Sequence, residues 1–167
     1  MADIIKNRQI ASDSWQLLKA ADGNLPPVPP EGDVIVPLAV WLDQRAQLRA
    51  RTGRLGVWLD SHEEPAAIAE DLRHFDLVAV NFPKFVDGRG YSAARLLRER
   101  YGWRGELRAI GDIFRDQLFY LASCGFDAFA LRAGEDPHGA LTAFDDFSES
   151  YQGTVARPPL FRRRASQ

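Results

Sequence analysis

The sequence predicts an α/β fold: about five successive strand–helix units forming a parallel sheet, preceded by a short N-terminal β extension. Three observations predict it. Short apolar runs alternate with amphipathic stretches from Asp33 to Tyr151, the pattern of strands joined by covering helices. Pro37, Pro65 and Pro137 follow or precede those runs where first helical turns are expected, and a first turn has no use for the missing N–H. DLVAVNF, Asp76 to Phe82, is almost continuously apolar, as a strand buried on both faces would be.

The elements follow in order. IIK, RQI and WQLL, within Asp3 to Leu18, read as short strands separated by Asn7 and by Ser12-Asp13-Ser14. LPPVPPEG is a connector, because its four prolines cannot occupy a helix interior or a central strand. Val34 to Val36 is the next strand. Leu38 to Arg51 is helical, with Leu38, Trp41, Leu42 and Leu48 recurring at helical spacing. Leu55 to Asp60 is a strand and Pro65 to His74 a helix, with Ala66, Ala69 and Leu72 on one face. After DLVAVNF comes a helix over Ser92 to Tyr101, then the strand ELRAIG, Glu106 to Gly111. Phe114 to Cys124 is helical, Phe126 to Leu131 a strand, and Asp136 to Tyr151 the last helix, capped by Asp136. This divides the chain into an N-terminal extension and connector (1–32), an α/β domain (33–152) and a basic tail (153–167). The pattern leaves two architectures open, an open doubly wound sheet and a partial barrel. A partial barrel exposes two strand edges, which the N-terminal strands or a second subunit would have to cover.

Composition narrows the function. A net charge of −2 argues against nucleic acid or an anionic membrane surface as partner. A single cysteine, Cys124, excludes an internal disulfide framework, and His62, His74 and His138 lack metal-ligand spacing. No apolar stretch approaches the ~20 residues of a membrane helix, so the expected compartment is the cytoplasm. No cofactor motif is evident, although a flavin is not excluded.

In parallel α/β folds ligands bind beyond the carboxyl ends of the strands. The richest strand-to-helix loop is Pro83 to Tyr91, with Lys84, Asp87, Gly88, Arg89, Gly90 and Tyr91. Arginine can grip an oxyanion through two parallel hydrogen bonds, and a helix N-terminus adds free N–H groups. The competing reading is a turn in which Gly88 and Gly90 take positive φ and Ser92 caps the helix. The spacing is neither G-x-G-x-x-G nor a P-loop. The next loop, GDIFRDQ, offers Asp112, Arg115, Asp116 and Gln117. Asp112 stands where a helix cap would, and Arg115 in a first turn opposes the helix dipole, so it calls for a carboxylate or a ligand.

The motifs FPKFVDGRGYS, GELRAIGD, RDQLFYLASCGFDAF and FDDFSESYQ resemble those of a family of small uncharacterised bacterial proteins. Members are described as oxidoreductases involved in sulfite reduction, and their genes often lie beside those of assimilatory sulfite reductase. The resemblance implies an accessory protein of sulfate and sulfite assimilation, binding an oxyanion or a reductase partner through Asp87 to Tyr91 and Asp112 to Gln117. It supplies no catalytic residues. Six-electron sulfite reduction needs cofactor machinery, so this chain is not expected to carry it alone. Two alternatives stand beside that reading. One is an enzyme with Asp112 or Asp116 as acid–base group and Arg89 and Arg115 orienting the anion. The other is a structural subunit of a larger reductase; a homo-oligomer is also left open.

Overall fold

The computed structural model describes residues 2–83 and 88–145. The described residues form one mixed sheet of eight strands, ordered β2-β1-β8-β7-β6-β5-β4-β3 and curled into a half-barrel. The strands are β1 (Asp3–Lys6), β2 (Gln9–Ser12), β3 (Gln16–Leu17), β4 (Val34–Pro37), β5 (Leu55–Leu59), β6 (Leu77–Phe82), β7 (Glu106–Gly111) and β8 (Ala128–Phe129). From β3 to β8 every pairing is parallel. The expectation of a purely parallel sheet is corrected at the N-terminus. There β1 and β2 form a hairpin, and β1 runs antiparallel to β8. A two-residue turn at Asn7-Arg8 can only return an antiparallel strand, whereas a parallel partner needs a long crossover.

Between the parallel strands lie α1 (Leu38–Ala50), a 3-10 segment (Pro65–His74), α2 (Arg89–Arg95) running on into a π-wound turn (Leu96–Arg100), and α3 (Leu118–Ser123). Beyond β8 come α4 (Pro137–Ala140) and a final 3-10 turn (Leu141–Asp145). The sequential strand order β4 to β8, with crossovers of one hand, places these segments on one face and curls the sheet away from them. The Pro65–His74 segment is held by Asp71, which accepts hydrogen bonds from Trp41 Nε1 (2.9 Å) and Arg45 (3.1 Å).

Alternation along the strands builds two cores. Val34, Val36, Val57, Leu59, Val78, Val80, Leu107 and Phe129 face the helices and pack with Trp41, Ile68, Leu97 and Leu121. The intervening Ile35, Leu77, Ala79 and Ile110 form the concave core, with Trp15, Leu17, Trp58 and Ala130 against it. The N-terminal strands cover the edges of the half-barrel. β2 and β3 are its two edge strands, yet only Asp13, Ser14 and Trp15 separate them. Ser12 and Gln16 therefore lie no more than ~14 Å apart, and the sheet has to curl until its edges approach.

That connector also supplies an anion to the concave face. Arg108 in β7 is 2% exposed and is flanked by Glu106 (2.8 Å) and Asp13 (2.9 Å), while Lys6 pairs with Glu106 at 2.8 Å. A charged layer thus fills the concave face at the amino ends of the parallel strands.

At the entry to β4, Asp33 accepts hydrogen bonds from Arg54 N (2.9 Å), Nε (3.1 Å) and Nη2 (2.8 Å). The Arg54 side chain is the main reason the Asp33 carboxyl is held below its ordinary range. A depressed carboxyl favours the folded state above its unfolded pKa, and the contribution disappears as pH falls through the folded value. An NMR titration should therefore place Asp33 below the usual aspartate midpoint. Arg54→Ala should return it upward; an unchanged midpoint would contradict the assignment.

Candidate functional site

On four neighbouring strands the concave face changes from apolar to polar at its last inward position. Alternation carries Trp58 to Asp60 on β5, Ala79 to Asn81 on β6, Ile110 to Asp112 on β7 and Ala130 to Arg132 on β8. Backbone hydrogen bonds tie the strand ends to their neighbours, with a two-residue shift between β7 and β8 around Gly111. Asp112 N donates to Phe82 O (2.8 Å) and Arg132 N to Ile113 O (2.8 Å).

These side chains form a row of two pairs. Asp60 Oδ1 accepts from Asn81 Nδ2 at 3.0 Å and from Ser61 N at 2.8 Å. Glu63 Oε1 accepts from Asp60 N at 2.7 Å, which fixes the turn after β5. Asn81 lies against Gly111, whose φ of +98° admits no side chain without strain. Asp112 is 3.9 Å from Arg132, whose guanidinium also lies 3.5 Å from Glu135 and 5.0 Å from the Phe114 ring centre. The row presents two carboxylates, an amide and a guanidinium at the carboxyl ends of parallel strands, where half-barrel and barrel folds present their ligand sites. It can bind a small polar ligand through several hydrogen bonds, with Arg132 as the cationic anchor.

The residues singled out in the sequence are distributed around this row. Lys84 and Asp87 lie outside the described residues. Gly88 is exposed with φ −68° and Gly90 is the second residue of α2, so neither glycine uses positive φ. Ser92 is inside α2 and does not cap it. Gly90 is a packing residue: a Cβ there would meet Phe82 Cε1 at 2.6 Å. Tyr91 continues an aromatic ladder, 5.2 Å from Phe82 and 4.8 Å from Tyr120 between ring centres. Arg89 lines a cleft of about 150 Å³ with Ser61, Glu63, Glu64 and Ser92, so it adjoins the loop after β5. Arg115 donates to Thr142 Oγ1 at 3.0 Å, towards the last helical turn. Gln117 Oε1 accepts from Phe114 N at 3.0 Å and closes the turn before α3. Asp116 is exposed in that turn. Asp112 alone of these residues belongs to the row. Cys124 is buried, and burial pushes its thiol pKa up, against a reactive thiolate.

Asp60 and Asn81 escaped the sequence reading, and Arg132 falls in a strand-to-helix loop, Arg132 to Asp136, from which the sequence singles out no residue. Their signal was present: each stands two residues beyond an inward apolar residue, at the carboxyl end of a strand.

Fold and row together define a single-chain α/β half-barrel with a polar rim at the carboxyl ends of its parallel strands. No helix among the described residues is long and apolar enough to cross a membrane. Residues 56–161 match the family described as "Bacterial protein of unknown function (DUF934)", and the chain belongs to that family. The matched span includes the four rim residues. No curated protein matches the chain.

Proposed function

We propose that the protein is an accessory factor of assimilatory sulfate and sulfite reduction that binds a small oxyanion at the rim of its half-barrel. The observation that carries the binding half is the presence of two polar pairs, Asp60–Asn81 and Asp112–Arg132, at the carboxyl ends of four adjacent strands. Arginine and amide donors suit the tetrahedral or pyramidal oxygens of sulfate, sulfite or phosphate. Arg89, the first residue of α2, lines a cleft with Ser61 and Glu63, in the turn that follows Asp60. The sulfur context is supported by the resemblance of FPKFVDGRGYS and RDQLFYLASCGFDAF to proteins described in sulfite reduction. A second reading, an enzyme using Asp112 as acid–base group, is favoured by the Asp112–Arg132 pair, which would orient an anion beside a carboxyl.

The test is growth of a deletion strain on sulfate, sulfite, sulfide or cysteine, complemented with wild type or Arg132→Ala. Growth on sulfide but not on sulfite is expected, with Arg132→Ala folded and unable to complement. Normal growth on sulfite without the gene would sink the proposal. In vitro, sulfite at ~100 times its dissociation constant should add about 2.7 kcal/mol of stability. A yellow purified protein would point instead to a flavin.

A further inference from the structure

Among the described residues, the charges at the rim do not balance for a bare oxyanion. Asp60, Glu63, Asp112 and Glu135 stand there with one guanidinium, that of Arg132. In the adjoining cleft Arg89 is matched by Glu63 and Glu64. A dianion such as sulfate would meet more negative than positive charge, and like charges brought together repel.

The two pairs differ in how their carboxylates are satisfied. Asp112 faces Arg132 at 3.9 Å, and the same guanidinium lies 3.5 Å from Glu135. Asp60 is partly buried, and it accepts from Asn81 Nδ2 at 3.0 Å and from Ser61 N at 2.8 Å. Both donors are neutral, and both bonds fall on Oδ1. Among the described residues Asp60 takes no ion pair, and its Oδ2 takes no hydrogen bond. A carboxylate withdrawn from water without a cation is costly, so this oxygen is the place for a positive group.

The pairs adjoin, because Asn81 lies against Gly111, the residue before Asp112. On a flat sheet their midpoints would stand two strand spacings apart, about 10 Å. The curl of the sheet shortens that. An ammonium and an acid group joined by two carbons, each with a hydrogen bond of about 3 Å to its partner, span a similar distance.

We propose that the ligand of the rim is a small zwitterion, an amino acid or aminosulfonate, with its ammonium on Asp60 and its acid group on Arg132. The inference rests on the oxyanion reading above and narrows it: the oxyanion carries its own amine. Such a ligand is neutral overall and gives Asp60 the cation it lacks. Asn81 is a positioning residue, since by occupying Oδ1 it leaves Oδ2 for the ligand.

The test titrates the full chain by calorimetry with taurine and β-alanine, with ethanesulfonate and propionate as their amine-free counterparts, and with sulfite. Wild type, Asp60→Asn and Arg132→Ala are compared, and Tm reports folding. Taurine, β-alanine or both should bind at least about tenfold more tightly than the amine-free counterpart. Asp60→Asn keeps the size and removes the charge, so the probes should move in opposite directions. Zwitterions should weaken by about tenfold or more, while ethanesulfonate, propionate and sulfite bind equally or more tightly. Arg132→Ala should weaken all of them. If sulfite binds wild type but neither zwitterion exceeds its counterpart, the zwitterion is overturned and the oxyanion reading stands. If Asp60→Asn weakens zwitterions and sulfite alike, the zwitterion is overturned too, because Asp60 is then structural support. If no probe binds saturably up to about 10 mM, both readings fall. Should Asp60→Asn not fold, the wild-type margin decides by itself.

Discussion

Replacing Arg108 by methionine is expected to destabilise the protein by about 3–5 kcal/mol, the usual consequence of removing one partner from a buried ion pair. The guanidinium is nearly inaccessible, and it meets two carboxylates, Glu106 at 2.8 Å and Asp13 at 2.9 Å. Methionine preserves most of the volume, so the loss reports charge and hydrogen bonding more than a cavity. Lys6 stays beside Glu106, but Asp13 loses its ion pair to the sheet. Asp13 belongs to the three residues that carry the chain from one sheet edge to the other, so the N-terminal strands should loosen together with it. Urea denaturation should show a lower midpoint, and hydrogen exchange should show reduced protection in β1 and β2. Replacing all three groups with neutral counterparts, Arg108→Met with Glu106→Gln and Asp13→Asn, should recover part of the loss. A single variant within about 1 kcal/mol of wild type would show that the charged layer contributes little.

The second large effect is expected at Gly111. Its φ is +98°, and a Cβ there would overlap the Phe82 carbonyl oxygen and Asn81 Oδ1. The carbonyl belongs to the β6 backbone and accepts from Asp112 N, so it cannot move aside without breaking the ladder. Gly111→Ala should cost about 3 kcal/mol through backbone strain and the clash. The displaced amide of Asn81 should also let go of Asp60, so any stabilisation by sulfite should vanish from the same variant. Asn81→Ala, which removes the amide but keeps the backbone, should lose the ligand effect with a smaller loss of stability. If Gly111→Ala were as stable as wild type, the close approach of β6 and β7 at the rim would be wrong.

The element order was legible along the chain because it depends on local periodicity. DLVAVNF and ELRAIG each form a strand ending where expected, at Phe82 and Gly111. Asp136 caps the helix after β8 by accepting from His138 N and Gly139 N, both at 3.1 Å. The positive φ expected at Gly88 and Gly90 is not found at either. Two glycines around an arginine suggest a turn, but Gly90 is required by the ring of Phe82, a contact between neighbouring elements that no spacing rule contains. The candidate site was legible only in part. Asp112 follows a strand directly and drew attention as a cap. Asp60, Asn81 and Arg132 gain meaning only when four strands stand side by side and their last inward positions fall at one end of the sheet.

Sequence by itself determined the alternation of strands and helices, the face each strand residue takes, and the places where prolines and glycines interrupt. These follow from the two-residue period of a strand and the 3.6-residue period of a helix. Tertiary structure alone decided the pairing of β1 with β8, the curl of the sheet and the burial of Arg108. Its partner Asp13 is 95 residues away, and the value of an ion pair depends on the water removed around it. That removal happens only when the chain between Ser12 and Gln16 spans from one edge of the sheet to the other.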